Sequence, residues 1–123
     1  MTLIDRISDQ VHDGISIWVD VCRVDDLIAD RGVCAIVGDY QVAIFKVSAD
    51  DSLYALSNYD PCSGAYVLSR GIVGSKGDML KVTSPIYKQG FDLRTGQCFD
   101  DPSLSVMTFP VRAVDGQVQV GLL

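Results

Sequence analysis

Residues 33–47, VCAIVGDYQVAIFKV, decide the fold class, because two apolar runs flank a two-residue turn. Gly38 and Asp39 form that turn, and glycine tolerates the positive φ that a two-residue hairpin loop needs. β-Branched residues pack well on a pleated surface, and the chain holds sixteen Val and nine Ile against seven Ala. The stretch therefore predicts an antiparallel hairpin inside an all-β domain.

Further strand and turn signals extend outward from this hairpin. Apolar patterning predicts strands over residues 15–22, 52–58, 79–83, 90–93, 105–114 and 117–122. Residues 2–12 have a helical period instead, with one apolar stripe formed by Leu3, Ile4, Ile7 and Val11. A chain of 123 residues has the size of one domain. We therefore predict an N-terminal extension with a short helix over residues 1–13, and an antiparallel β-sandwich or small barrel over residues 14–123.

The charge balance bears on the class of partner. Ten basic and sixteen acidic residues give a formal net charge of −6, which repels nucleic acid and anionic membranes. The longest apolar runs are too short to span a bilayer. Residues 1–10 show neither the basic nor the apolar region of a secretory signal. We expect a cytoplasmic protein with no nucleic-acid or membrane partner.

The number and spacing of the cysteine and histidine residues limit the metal sites and catalytic groups that the chain can form. No two of the four cysteines (Cys22, Cys34, Cys62, Cys98) form a C-x-x-C pair, and His12 is the only histidine. A site that needs two imidazoles is therefore excluded within one chain. Cys62 and Cys98 could in principle form a redox-active thiol pair, but we expect inert thiols, because Asp60 lies beside Cys62 in the sequence. We predict no catalytic residue and no metal site.

Two loops carry the remaining signal. Residues 58–65, NYDPCSGA, and residues 84–96, SPIYKQGFDLRTG, each follow a predicted strand and contain an early proline. This arrangement resembles the Rieske iron–sulfur domain, whose cluster loops have the patterns C-x-H and C-x-x-H, the second followed by a Phe-Asp strand. The resemblance places Asp60 and Cys62 in the first pair of ligand positions, and Ser84 and Tyr87 in the second pair.

These residues are poor ligands for the cluster that the resemblance implies. A Rieske centre holds one iron by two thiolates and the other by two imidazoles. Oxygen donors from Asp, Ser and Tyr are hard ligands and match an iron–sulfide core badly. We therefore expect vestigial ligand positions and no cofactor in this chain. A Rieske-type [2Fe-2S] electron carrier with non-standard ligands remains the alternative.

Four shorter motifs indicate a more specific family among the Rieske-like domains. They are VLSRG at residues 67–71, SP at 84–85, KQGF at 88–91 and VDGQVQ at 114–119. Their order and spacing are similar to those in the small subunit of assimilatory NAD(P)H-dependent nitrite reductase. That family implies a non-catalytic subunit that docks on and supports a large subunit. The large subunit carries FAD, an iron–sulfur cluster and sirohaem, and reduces nitrite to ammonium in nitrate assimilation.

The two loops are the predicted docking face, because aromatic and Arg side chains are enriched at interface centres. The candidate apolar anchors are Tyr59, Ile86 and Tyr87, and the candidate polar contacts are Arg70, Lys88 and Arg94. Two alternatives stay open. Ile86 and Tyr87 could fill the space that a cluster would occupy, or the chain could be a β-barrel interaction module of another redox complex.

Overall fold

A computed structural model describes Ile15 and residues 17–122 of the chain. The predicted N-terminal extension, residues 1–13 with its short helix, lies outside this part. The strands are β1 (Ile17–Arg23), β2 (Gly32–Val37), β3 (Tyr40–Val47), β4 (Ser52–Ser57), β5 (Tyr59–Asp60), β6 (Ala65–Tyr66), β7 (Ile72–Lys76), β8 (Met79–Thr83), β9 (Gly90–Asp92), β10 (Thr108–Phe109), β11 (Val111–Val114) and β12 (Gln117–Leu122). Two 3-10 turns cover Val24–Asp26 and Leu68–Arg70.

The predicted hairpin is confirmed as β2 and β3. The two strands pair antiparallel, with Val37 opposite Tyr40 at the turn. Gly38 has a φ of +61°, which is the left-handed conformation that glycine adopts without strain. β3 also pairs with β4, so that the hairpin supplies two strands of a four-stranded sheet in the order β10–β4–β3–β2.

This sheet lies between two others, β1–β12–β11 and β7–β8–β9. Successive side chains of β3 alternate between the two interfaces. Phe45 and its neighbours on one face pack in a cluster with Phe91 of β9, whereas Ile44 packs in a second cluster with Val120 of β12. A strand that is buried on both faces needs apolar residues at nearly every position, which explains the run from Val42 to Phe45. The all-β antiparallel sandwich predicted from the sequence is confirmed.

The predicted strand over residues 105–114 is interrupted. Pro110 has no N–H to donate to a ladder. The chain forms β10 with β4 before this proline and β11 with β12 after it, so that it passes from one sheet to another. The carbonyl of Pro110 still accepts the N–H of Gly121 at 2.9 Å. Ser105 contributes only a single bridge, to Gln97.

The long stretch after β4, which shows little periodicity in the sequence, contains the hairpin β5–β6, the turn Leu68–Arg70 and β7. The turn is pressed against β2, because a Cβ on Gly32 would lie 2.2 Å from the carbonyl oxygen of Ser69. Only glycine fits this approach, which holds the turn Leu68–Arg70 against the outer strand β2 of the central sheet. Across residues 17–122, no helix is long and apolar enough to cross a bilayer.

Candidate functional site

The two loops singled out in the sequence meet at Asp60 and Ser84. Asp60 ends β5, Ser84 directly follows β8, and both side chains are fully buried. The hydroxyl of Ser84 donates a hydrogen bond to Oδ2 of Asp60 at 2.5 Å. A hydrogen bond to a charged acceptor is short and strong. The two loops are therefore joined by a carboxylate–hydroxyl contact between two of the four predicted ligand positions.

The carboxylate of Asp60 also accepts hydrogen bonds from residues of its own loop. The hydroxyl of Ser63 donates to Oδ2 at 2.9 Å, and the backbone N–H of Cys62 donates to Oδ1 at 2.9 Å. Desolvation by burial acts to raise the pKa of Asp60, but the hydrogen bonds from Ser84, Cys62 and Ser63 outweigh it, and the pKa lies below its usual range. Asp60 is therefore ionised at neutral pH, and hydrogen bonds stabilise its charge.

Ser84 also shapes the second loop. Its Oγ accepts the N–H of Ile86 at 3.3 Å, and its carbonyl accepts the N–H of Lys88 at 3.2 Å. Its own N–H donates to the carbonyl of Gln89 at 2.9 Å, which closes the loop between β8 and β9. Lys88 has a φ of +65°, a conformation that is strained for a residue with a side chain.

Cys62, the third predicted ligand position, is half-buried and packs against the cluster that contains Phe91 and Cys98. Burial raises the pKa of the Cys62 thiol, and the carboxylate of Asp60 raises it further. Cys98 is buried, and both are free thiols. The thiolate form, which is the nucleophile and the metal ligand, is therefore disfavoured at Cys62.

Tyr87, the fourth position, differs from the other three because it is exposed to solvent. Its side chain is 63% exposed, and Ile86 beside it is 43% exposed. These exposed fractions do not favour the alternative that the two residues fill the space of a cluster. The Asp60–Ser84 hydrogen bond joins the two loops.

The four positions do not fit the cluster of a Rieske centre. Two of them are hydrogen-bonded to each other, one is an exposed phenol, and the fourth is a thiol with a raised pKa. The described part of the chain contains no histidine and no group of three or more His, Cys, Asp or Glu residues placed to hold a metal ion. Two thiolates and two imidazoles are needed, and these residues supply neither pair.

The structure brings four of the six predicted docking residues to the same end of the sandwich, which we call the loop end: Tyr59, Ile86, Tyr87 and Lys88. Tyr59 lies beside buried Asp60, and the other three follow Ser84. All four are exposed. Tyr66, which sequence reasoning missed, joins them, because its ring lies 5.1 Å from that of Tyr59 and is 56% exposed.

The other two predicted docking residues line two separate depressions of the surface. Arg70 follows the hairpin and lines a groove with Arg31 and Ile72. Arg94 lines a cleft of about 600 Å³ with Asp50 and Asp92, beyond the far end of β9. The six residues therefore do not form one compact patch.

Asn58 is a buried polar residue whose role sequence reasoning missed. Its Nδ2 donates to the carbonyl of Tyr66 at 3.1 Å and to Oε1 of Gln41 at 3.3 Å. Its Oδ1 accepts the N–H of Ser69 at 2.6 Å. Asn58 therefore ties the β5–β6 hairpin to the central sheet. An amide placed directly after an apolar strand was the available signal.

Comparisons with known proteins agree with this geometry. A family model described as a Rieske-like [2Fe-2S] domain matches residues 17–121. The nitrite reductase (NADH) small subunit of Escherichia coli K12 is 43% identical over 106 residues, which cover 86% of this chain and 98% of that protein. A crystal structure described as an NADH-dependent nitrite reductase small subunit from Mycobacterium tuberculosis is 46% identical, with a TM-score of 0.83, and the match covers 87% of this chain and 96% of that one.

A third relative has a different length. The nitrite reductase NAD(P)H large subunit of Klebsiella oxytoca is 39% identical over 104 residues, which cover 85% of this chain but 11% of that protein. A domain of this kind therefore occurs both as a separate small subunit and within a large-subunit chain. The family model and the small-subunit matches each span most of the chain. The chain belongs to the Rieske-like domain family and, within it, to the small subunits of NADH-dependent nitrite reductase.

Proposed function

We propose that this chain is the non-catalytic small subunit of a cytoplasmic NAD(P)H-dependent nitrite reductase, and that it docks on and supports the large subunit. The observation that carries the proposal is the occurrence of the same domain inside a chain named as a large subunit. Two domains that are joined in one chain in one organism and separate in others are expected to associate when they are separate.

The loop end is the docking surface in this proposal. Tyr59, Tyr66, Ile86 and Tyr87 are exposed apolar or aromatic side chains, with exposed fractions between 39% and 63%. Lys88 adds a cation to this surface and holds a strained backbone conformation. Aromatic side chains at such a surface contribute much of the affinity of an interface, because they bury a large area with few rotatable bonds.

The redox chemistry is assigned to the partner. In this proposal FAD, the iron–sulfur cluster and sirohaem belong to the large subunit, as the family resemblance implies. The buried Asp60–Ser84 contact supports this division, because it joins the two loops through hydrogen bonds that need no metal. The small subunit then contributes shape and contacts rather than electrons.

Co-expression of the tagged full chain with the large subunit of the same organism tests the proposal. We expect a sirohaem-containing flavoprotein to co-purify with the chain, and the chain alone to contain no stoichiometric iron or acid-labile sulfide. Replacement of Tyr59 and Tyr87 by Ala should reduce complex yield about tenfold or more. Met79→Ala is the matched control, because Met79 is 49% exposed and begins β8, at the end of that strand opposite Ser84.

Two results would contradict the proposal. The first is a folded chain that does not associate with the large subunit at any ratio. The second is a chain that, purified anaerobically, carries a reducible iron–sulfur cluster, which would favour the electron-carrier alternative.

A further inference from the structure

A groove of about 450 Å³ lies between the start of β2, the turn Leu68–Arg70 and the start of β7. Gly32 and Gly71 contribute to its walls, and neither position has room for a side chain. A Cβ on Gly71 would lie 2.6 Å from the carbonyl oxygen of Thr83. At both glycines the space that a Cβ would fill is already occupied by the protein's own atoms, so the segments that form the groove are packed closely together.

The groove is a cationic feature on an acidic protein. Arg31 and Arg70 both line it and are both exposed, on a chain whose formal net charge is −6. Asp30 is the acidic residue of the lining, and both of its carboxylate oxygens accept hydrogen bonds from Ser48, at 2.9 and 2.6 Å. Two arginines therefore line the groove with one aspartate, whose carboxylate is hydrogen-bonded to Ser48. Arginine pairs with carboxylates through two parallel hydrogen bonds.

One wall of the groove is an outer strand. β7 pairs with β8 and is the first strand in the order β7–β8–β9, so that its other side is not paired within the described residues. Ile72, the first residue of β7, is 71% exposed and lines the groove together with Val73. An unpaired strand edge with an exposed apolar residue is the surface to which an extended segment adds as a further strand.

One wall of the groove lies near the base of the second loop. Gly71 packs against the carbonyl of Thr83, and Ser84 follows Thr83 at the start of that loop.

We propose that this groove binds an extended acidic segment of the large subunit, which pairs with β7 and places its carboxylates against Arg31 and Arg70. This inference rests on the proposed function and adds a second contact to it. β7 has five residues and spans about 17 Å, so that the segment is about five residues long. One apolar side chain of the segment packs on Ile72.

Binding of the purified large subunit to the full chain and its variants tests the groove. Arg31→Glu and Arg70→Glu should each weaken binding about tenfold, and the loss should be larger at low salt than at high salt. Arg23→Glu makes the same change of charge at an exposed residue at the end of β1 and should leave the affinity nearly unchanged. Ile72→Asp should weaken binding similarly, whereas Ile17→Asp, at a residue that is 55% exposed on β1, should not. Circular dichroism establishes that each variant is folded.

The outcomes separate the two proposals. If the wild-type chain binds and the groove variants bind as well as Arg23→Glu, the proposed binding site in the groove is wrong and the proposed function stands. If the wild-type chain does not bind, the proposed function fails and the groove fails with it. If light scattering shows that the groove variants dissociate a homodimer without changing affinity for the large subunit, the occupant is a second copy of this chain, and our assignment is overturned.

Discussion

The contact between Asp60 and Ser84 gives the sharpest test of how this domain holds its two loops together. Ser84→Ala removes the hydroxyl that donates to Asp60 at 2.5 Å and accepts the N–H of Ile86 at 3.3 Å. A hydrogen bond to a charged group contributes about 1.5–3 kcal/mol to stability. Since Asp60 keeps its bonds from Ser63 and Cys62, we expect the free energy of unfolding to fall by about 2 kcal/mol.

The size of the effect in a thermal melt follows from the chain length. An unfolding entropy of about 2.1 cal/mol/K per residue makes about 2 kcal/mol equal to a drop of about 8 °C in Tm. Thermal and urea denaturation followed by circular dichroism measure both quantities. Ser103→Ala is the matched control, because the Ser103 hydroxyl donates to Asp101 at 2.6 Å on an exposed part of the chain. That variant should melt close to the wild-type temperature, because water replaces an exposed hydrogen bond.

The same contact predicts a pH dependence. The pKa of Asp60 is lower in the folded protein than in the unfolded chain, so its contribution to stability is present above the unfolded pKa. The contribution is lost as the pH falls through the folded pKa. The difference in stability between wild type and Ser84→Ala should therefore be largest near neutral pH and shrink in acid. A difference that is as small as that of Ser103→Ala, or one that does not change with pH, would refute the reasoning.

Three further experiments test other parts of the structure. Gly96→Ala should destabilise the fold by about 3 kcal/mol or more, because Gly96 has a φ of +80° and a Cβ there would lie 2.0 Å from the carbonyl oxygen of Val106. Gly77→Ala is the control, because Gly77 has a φ of +62° with open space around it, so that only the backbone cost of about 1 kcal/mol is expected. Lys88→Gly should raise the unfolding free energy by about 0.5–1 kcal/mol by relieving the positive φ, whereas Lys88→Ala should give no such gain in the same urea titration. Cys62 should react slowly with a thiol reagent at neutral pH and faster as the pH rises, since burial and the carboxylate of Asp60 raise its pKa above the ordinary value of a thiol. A reaction rate that is already maximal at neutral pH would contradict this.

The sequence by itself determined the class of the fold and the chemistry that the chain lacks. The alternation of apolar residues and the turn at Gly38 and Asp39 are local properties, so they specify the β2–β3 hairpin without any tertiary contact. The residue types at Asp60, Ser84 and Tyr87 likewise determine that imidazole and thiolate ligands are missing there, because ligand chemistry depends on identity alone.

Tertiary structure alone decided what these residues do instead. Asp60 and Ser84 are far apart in the sequence, and no local pattern predicts that a carboxylate and a hydroxyl meet and link the two loops. The crossing of the chain at Pro110 and the separation of Arg94 from the loop end depend on which strands pair, which is a non-local choice. The hydrogen bonds of Asn58 and the placement of Arg31 and Arg70 in one groove are also non-local, because each joins segments that only the packed sheets bring together.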